Sequence, residues 1–324
     1  MAMTALSRRD FLRVAAAGAG GLALGSGTLD AWARVAPGHC GWGAFAEPSG
    51  NQTPMEAVFA LEELIGRKLD VTRHYMSWDR EIPNEQVRQS ASTGHIPLIS
   101  LECQRRNRTF LKWADIAAGT HDNELKTIAH ALKDWGHKAY WVFNHEPEND
   151  AGSGNASSFK AAYNHTRNLF DNVGATNLRW VCTLMRPTYQ GAHGGAALWI
   201  PTGAQVLGVD GYNRGTCNPD IGWQTFHDLF AAARWYARNH GKHLIIQEWG
   251  TVGRMACGAD LDVESKATWI KRACERIKAW PEVETVIYTN AEVDFRGEAV
   301  TYKVDTTPDV LKVYRHFGHD PYFA

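Results

Sequence analysis

The sequence predicts an α/β chain of the (β/α)₈ barrel class, a single domain once an N-terminal leader is removed, and three observations lead there. Beyond residue 38, eight short apolar runs alternate with helical patterns. The runs are continuously apolar, as strands covered on both faces are, and do not alternate with polar residues. About 290 residues remain past the leader, a length that suits one large barrel, and no Pro/Ser/Gly-rich linker divides them.

The leader comes first. Ser7-Arg8-Arg9-Asp10-Phe11-Leu12-Arg13 is a twin-arginine pattern, an Ala/Gly-rich apolar stretch runs from Val14 to Leu24, and Ala31-Trp32-Ala33 supplies a small-x-small cleavage signal. Residues 1–33 are therefore expected to be an export signal and residues 34–324 the catalytic domain. The strand candidates are 39–45, 69–75, 96–101, 139–144, 178–183, 206–212, 243–248 and 285–289. Helical patterns fall at 54–67, 123–135, 157–172, 223–240, 263–280 and 307–317. Each helix links one strand to the next parallel strand, and eight such units close most naturally into a barrel.

In a barrel of this kind the chemistry lies at the C-terminal ends of the strands. Glu146 follows the fourth run, in Ala139-Tyr-Trp-Val-Phe-Asn-His-Glu-Pro-Glu148, and Glu248 ends the seventh, in His243-Leu-Ile-Ile-Gln-Glu-Trp-Gly250. Strands four and seven face each other across the mouth, so the sequence distance between the two glutamates is no obstacle. Two carboxylates flanking one site suit glycoside hydrolysis, one protonating the leaving oxygen and the other attacking the sugar. Pro147 forbids helical continuation and keeps Glu146 on a loop, which makes it the expected acid/base. Glu248 is the expected nucleophile and must stay ionised. A carboxyl separation of about 5–5.5 Å would mean retention of configuration, and one above about 6.5 Å inversion.

Composition narrows the partners. A formal charge of −1 without basic clusters argues against nucleic acid. Thirteen Trp offer flat faces for sugar stacking, although most Trp in a barrel pack the core. Trp42, Trp78 and Trp249 are the stacking candidates, each with a core reading beside it. His145, Arg73, Glu148 and Asn290 join them as candidate substrate contacts, and Asp79, Glu102, Gln104 and Arg186 lie near the same mouth. Arg73 has a second reading as the ion-pair partner of Glu248. A zinc role for His145 fails, because no second histidine follows at the helical spacing and Pro147 breaks the helix. No cofactor and no metal is expected. Among the six cysteines, Cys217 and Cys257 fall in loops after consecutive strands, which leaves a bridge between them open. Ser157-Ser-Phe-Lys160 matches SxxK, but the partner motifs are missing from the sequence.

Asn144-His-Glu-Pro-Glu148 and Gln247-Glu-Trp-Gly250, in this strand order, resemble the large clan of retaining (β/α)₈ glycoside hydrolases. The His145-Glu146 pair is most similar to family 26, which holds β-mannanases and related β-glycanases. The resemblance implies that Tyr212, in Val209-Asp-Gly-Tyr-Asn213, hydrogen-bonds the nucleophile. It also implies a β-linked polysaccharide or oligosaccharide partner, with mannan-type endo-hydrolysis leading. Tyr288-Thr-Asn290 stands where many clan members carry a Trp, a departure from the pattern. The rival readings are a sugar-binding barrel without catalysis and a transglycosylase or cell-envelope glycan enzyme on the same fold. The mature chain is expected to be exported, free of the membrane after processing, and monomeric.

Overall fold

The computed structural model describes residues 38–253, 257 and 263–323. The expected leader lies outside the described residues. Eight parallel strands close into a barrel in chain order: β1 (Gly41–Ala46), β2 (Val71–Ser77), β3 (Ile96–Glu102), β4 (Ala139–Phe143), β5 (Leu178–Met185), β6 (Val206–Asn213), β7 (His243–Thr251) and β8 (Val283–Asn290). The seam between β1 and β8 runs in register from Gly41 opposite Thr285 to Ala46 opposite Asn290. At Gly43 a side chain would meet the Val71 carbonyl at 2.8 Å, so glycine lets neighbouring strands approach there.

The helices are α1 (Pro54–Ile65), α2 (Glu85–Ser92), α3 (Trp113–Ala117), α4 (Asp122–Trp135), α5 (Ala156–Val173), α6 (Arg186–Tyr189), α7 (Ala196–Trp199), α8 (Phe226–Asn239), α9 (Lys266–Lys278) and α10 (Pro308–Gly318). Their starts follow capping chemistry. Thr53 accepts from the Glu56 amide while the Glu56 carboxylate accepts from Thr53, and Pro54 occupies the first turn, where its missing N–H costs nothing. Thr225 caps α8 and Ser265 caps α9, which moves both starts inward from the expected 223 and 263. The short α2, α3, α6 and α7 were not anticipated. A hairpin of β9 (Glu292–Phe295) and β10 (Glu298–Thr301) follows the last barrel strand. Among the described residues, no helix is long and apolar enough to cross a membrane.

Two apolar layers hold the fold. Inside the barrel, Val71, Leu98, Tyr140, Val142, Val181, Val206, Ile245 and Ile287 pack together. Between barrel and helices lies a larger layer that contains Trp42, Trp141, Trp180, Trp249 and Trp269. Burying a side chain of Leu or Phe size stabilises by about 1.5–3 kcal/mol, so a layer this rich in indole rings dominates the fold's stability.

Three sugar-stacking expectations are corrected here. Trp42 and Trp249 are 0% exposed and Trp78 is 3% exposed. Trp42 packs against Tyr314, Phe323 and Trp249, and Trp249 against Tyr288 and Phe226. Trp78 donates its indole N–H to Glu124 at 2.9 Å. With both ring faces covered by protein, none of the three has a face left for a sugar.

Candidate active site

The strand ends carry the polar residues. Side chains at i and i+2 of a strand share a face, so Arg73 and Tyr75 continue the inward face begun by Val71. Asp210 and Tyr212 continue the inward face of Val206 in the same way. On β7 the alternation is broken on purpose. Val209 pairs with Ile246 but Asp210 pairs with Glu248, which leaves Gln247 as an extra residue in a bulge. Gln247 and Glu248 therefore both face the interior, while Trp249 returns to the outer layer.

Glu248 sits in a cage of donors. The Tyr75 hydroxyl donates to its Oε1 at 2.6 Å and the Tyr212 hydroxyl to its Oε2 at 2.6 Å. Arg73 Nη2 lies 2.9 Å from Oε1, and His145 Nε2 lies 3.4 Å away. Burial by itself would raise this carboxyl, but Arg73, His145 and the two hydroxyls hold it down to about 2. Gln247 lies between Arg73 and Thr183 Oγ1, and with its amide turned so that the oxygen faces the guanidinium it accepts from Arg73 and donates to Thr183. Of its two expected readings, Arg73 follows the ion-pair one: its side chain is buried against Glu248 and does not reach the open mouth.

Glu146 has the opposite environment. The chain leaves β4 through two left-handed residues, Asn144 (φ 51°) and Glu146 (φ 47°), before the 3₁₀ turn Pro147–Asn149. Asn144 makes this turn possible by accepting from the Cys103 amide at 3.0 Å and donating to Asp150 at 2.7 Å. Among the described residues a single side-chain donor, Asn149 Nδ2 at 3.0 Å, reaches the Glu146 carboxylate. Burial pushes Glu146 up to about 7, His145 opposes the rise, and the charges of Asp210, Glu248 and Glu148 add to it.

His145 stands between the two, its Nε2 bound to Asp210 Oδ2. Burial and Arg73 lower the imidazole, and burial and Glu248 raise Asp210 well above an ordinary aspartate, so both partners favour their neutral forms. His145, Glu146 and Asp210 bring three potential ligand atoms within 4.8 Å of one another, the one such group among the described residues. The imidazole nitrogen and carboxylate oxygen nearest each other are already spent on their mutual bond.

The remaining candidates divide. Glu148 is a brace: its Oε1 accepts from the Met185 amide at 2.7 Å and from Thr188 Oγ1 at 2.6 Å, tying the turn after β4 to the end of β5. Asn290 accepts from the Val304 amide at 2.9 Å through its side chain, and so closes the segment after the hairpin. Both were expected as substrate contacts, and both side chains are engaged within the protein. Cys217 and Cys257 are joined by a disulfide, with Cα atoms 5.2 Å apart. The bridge packs with Val252, Val300 and Tyr302, and the Tyr302 ring stacks on Tyr212 at 4.7 Å. Tyr75 and Asp210 were missed as site residues. The signal that could have found them is alternation: each lies two residues from a singled-out neighbour, Arg73 or Tyr212.

No known family model matches the chain. The chain is 25% identical over 287 residues to Endoglucanase H of Acetivibrio thermocellus, an alignment covering 82% of this chain and 29% of that protein. It thus spans less than a third of that relative's length. Among solved structures, a β-mannanase from a symbiotic protist of the termite Reticulitermes speratus, complexed with a gluco-manno-oligosaccharide, superposes with a TM-score of 0.60 at 13% identity, covering 93% of each chain. A Cellulomonas fimi endo-β-1,4-mannanase of glycoside hydrolase family 26 superposes with a TM-score of 0.57 at 15% identity, covering 91% of this chain and 74% of that one. The fold is that of the family 26 barrels. The likeness expected from Asn144-His-Glu-Pro-Glu148 and Gln247-Glu-Trp-Gly250 is therefore borne out in architecture.

Proposed function

We propose that this chain is a retaining glycoside hydrolase that cleaves a β-linked polysaccharide by double displacement. The observation that carries the proposal is the division between the two carboxyls: Glu248 caged by Arg73, Tyr75 and Tyr212, Glu146 half-buried with one side-chain donor among the described residues. A pair of titratable groups driven apart by their surroundings is the arrangement that acid and nucleophile need.

In the first step a Glu248 oxygen attacks the anomeric carbon, the bond to the leaving oxygen breaks, and Glu146 gives that oxygen its proton. In the second, Glu146 takes a proton from water, the water oxygen attacks the same carbon, and the bond to Glu248 breaks. His145, bound to Asp210 and 3.4 Å from Glu248, stays between the two carboxyls as a neutral spacer. The leading substrate is a mannan-type β-1,4 backbone cleaved internally, in keeping with the mannanases that share the fold. The second reading, internal cleavage of a β-glucan, is favoured by the likeness to Endoglucanase H.

The test is hydrolysis of mannan, glucomannan, mixed-linkage and β-1,3-glucan, xylan and envelope glycans, with Glu248→Ala as the control. Release of reducing ends by the wild type alone, with the product's initial anomeric form matching the substrate's, is expected. Equal activity in wild type and Glu248→Ala sinks the proposal, as does inversion. Export through the twin-arginine route belongs to the same reading. Arg8→Lys with Arg9→Lys should keep the protein in the cytoplasm on fractionation, and unchanged export would remove that part.

A further inference from the structure

Two arginines on the barrel strands are paired with acids: the buried Arg73 with Glu248 and the half-buried Arg179 with Glu284. Two at the mouth are not. Arg186 follows β5 directly and is 9% exposed, and Arg214 follows β6 directly and is half-buried. Among the described residues neither forms an ion pair with an acid. Arg186 Nη1 donates to the neutral Gln224 Oε1. The Arg214 guanidinium lies over two aromatic rings, Tyr212 at 5.0 Å and Phe295 at 4.4 Å, and its Nε is buried without a hydrogen-bond partner. The two cations are close enough for the charge of Arg214 to add to the burial that weakens protonation of Arg186. Two neighbouring guanidinium groups, one buried and one half-buried, with no acid partner among the described residues are costly, and an anion that reaches them lowers the cost.

Their place says what kind of anion. β5 and β6 are adjacent in the barrel, with Met185 opposite Asp210. At Gly211 a side chain would stand 3.0 Å from the Phe230 ring and 3.5 Å from the Arg186 Cβ, so glycine lets β6 pack closely against both. Arg214 is one aromatic ring away from the nucleophile, because the Tyr212 ring beneath it carries the hydroxyl that holds Glu248. An anion at the two arginines therefore belongs to a sugar next to the one attacked, and not to the cleaved bond itself. The ionised Glu248 would repel an anion at the centre, which leaves this rim as its place.

We propose that Arg186 and Arg214 form a subsite for a carboxylate-bearing sugar, so that the preferred glycan carries a uronic acid beside the bond that is cut. A planar guanidinium matches a carboxylate with two parallel N–H donors, a fit that a point-charge ammonium lacks. This inference rests on the glycoside hydrolase reading for its substrate but not for its binding site.

The experiment separates the two. Glu146→Gln protein is titrated by calorimetry with a β-1,4-linked gluco-manno-oligosaccharide, with the same oligosaccharide oxidised to the carboxylate at C6, and with its C6-sulfated form. The carboxylated ligand should bind about tenfold more tightly than the neutral one, the scale of one charge-assisted contact. Adding Arg186→Gln or Arg214→Gln should erase that ratio. Equal affinity for neutral and carboxylated ligands, a ratio that survives both substitutions, or preference for the sulfate over the carboxylate overturns the proposal. If the arginine variants fail to fold, the parent protein still decides: rising salt should weaken the carboxylated ligand alone, and equal salt dependence of the two ligands counts against the subsite. A wild type that binds the carboxylated ligand preferentially yet cleaves no glycan would sink the hydrolase reading and leave the subsite standing.

Discussion

Removing the two hydroxyls that hold Glu248 tests the electrostatic division on which the mechanism depends. Tyr75→Phe and Tyr212→Phe each delete one O–H donor, at 2.6 Å from Oε1 and 2.6 Å from Oε2, and leave the ring in place. A hydrogen bond to a charged group contributes about 1.5–3 kcal/mol, and one pKa unit corresponds to about 1.36 kcal/mol, so each substitution should raise Glu248 by roughly 1–2 units. Its starting position is about 2. The two bonds stabilise one charge, so the double variant should shift by less than the sum of the singles. Arg73, 2.9 Å from Oε1, remains as the largest stabilising charge.

The nucleophile must be ionised, so activity is lost as pH falls through the Glu248 pKa, and raising that pKa moves the acid limb of the kcat/KM profile to higher pH. The alkaline limb follows Glu146, which must be protonated for the first step and is held near 7. It should stay in place. The assay is the pH dependence of kcat/KM for wild type, both singles and the double, with melting temperatures to confirm folding. An acid limb that does not move, or an alkaline limb that moves instead, would refute the assignment of these hydroxyls to Glu248.

Three further outcomes are expected. Glu146→Gln should lower turnover of polysaccharide by about 10²–10⁴-fold and abolish the alkaline limb, while an aryl glycoside with a good leaving group, which needs no proton, should be cleaved far better than the polysaccharide; equal losses on both would assign the acid elsewhere. Trp249→Ala should cost about 3–5 kcal/mol in denaturant unfolding, because the indole is 0% exposed, and a change confined to KM would restore the stacking role. Replacing Cys217 and Cys257 together by Ser opens a link across a separation of 40 residues. The chain-entropy relation gives a stability loss of about 4 kcal/mol for such a loop, read by urea unfolding with wild type reduced as the comparison.

Much of the barrel was legible because burial on both faces writes continuous apolar runs. Ala139–Phe143, buried at every position, is the plainest case. The runs stopped short at the mouth, where β2 continues to Ser77, β6 to Asn213 and β7 to Thr251. There the ladder persists while Ser77, Asn213 and Thr251 end the strands, so hydrophobicity no longer marks the strand. α2 escaped notice for a related reason: Val87, Ser90 and Ala91 are its buried residues, too little apolar surface to show a period. Glu146 and Glu248 were readable as chemistry at strand exits. The indole rings misled because a Trp beside an active-site glutamate, such as Trp249, reads the same whether it points inward or outward, and the bulge at Gln247 decides which.

That bulge sets two demands against each other. Without the extra residue β7 would pair regularly with β6, and a glutamate opposite Asp210 would still face inward. What would vanish is Gln247, whose amide oxygen, turned toward Arg73, accepts from it. A deletion at 247 should thus yield a tidier strand and a looser arginine, and a redesign guided by regularity alone would select it. In this strand the irregular residue is the tool that keeps the guanidinium aimed.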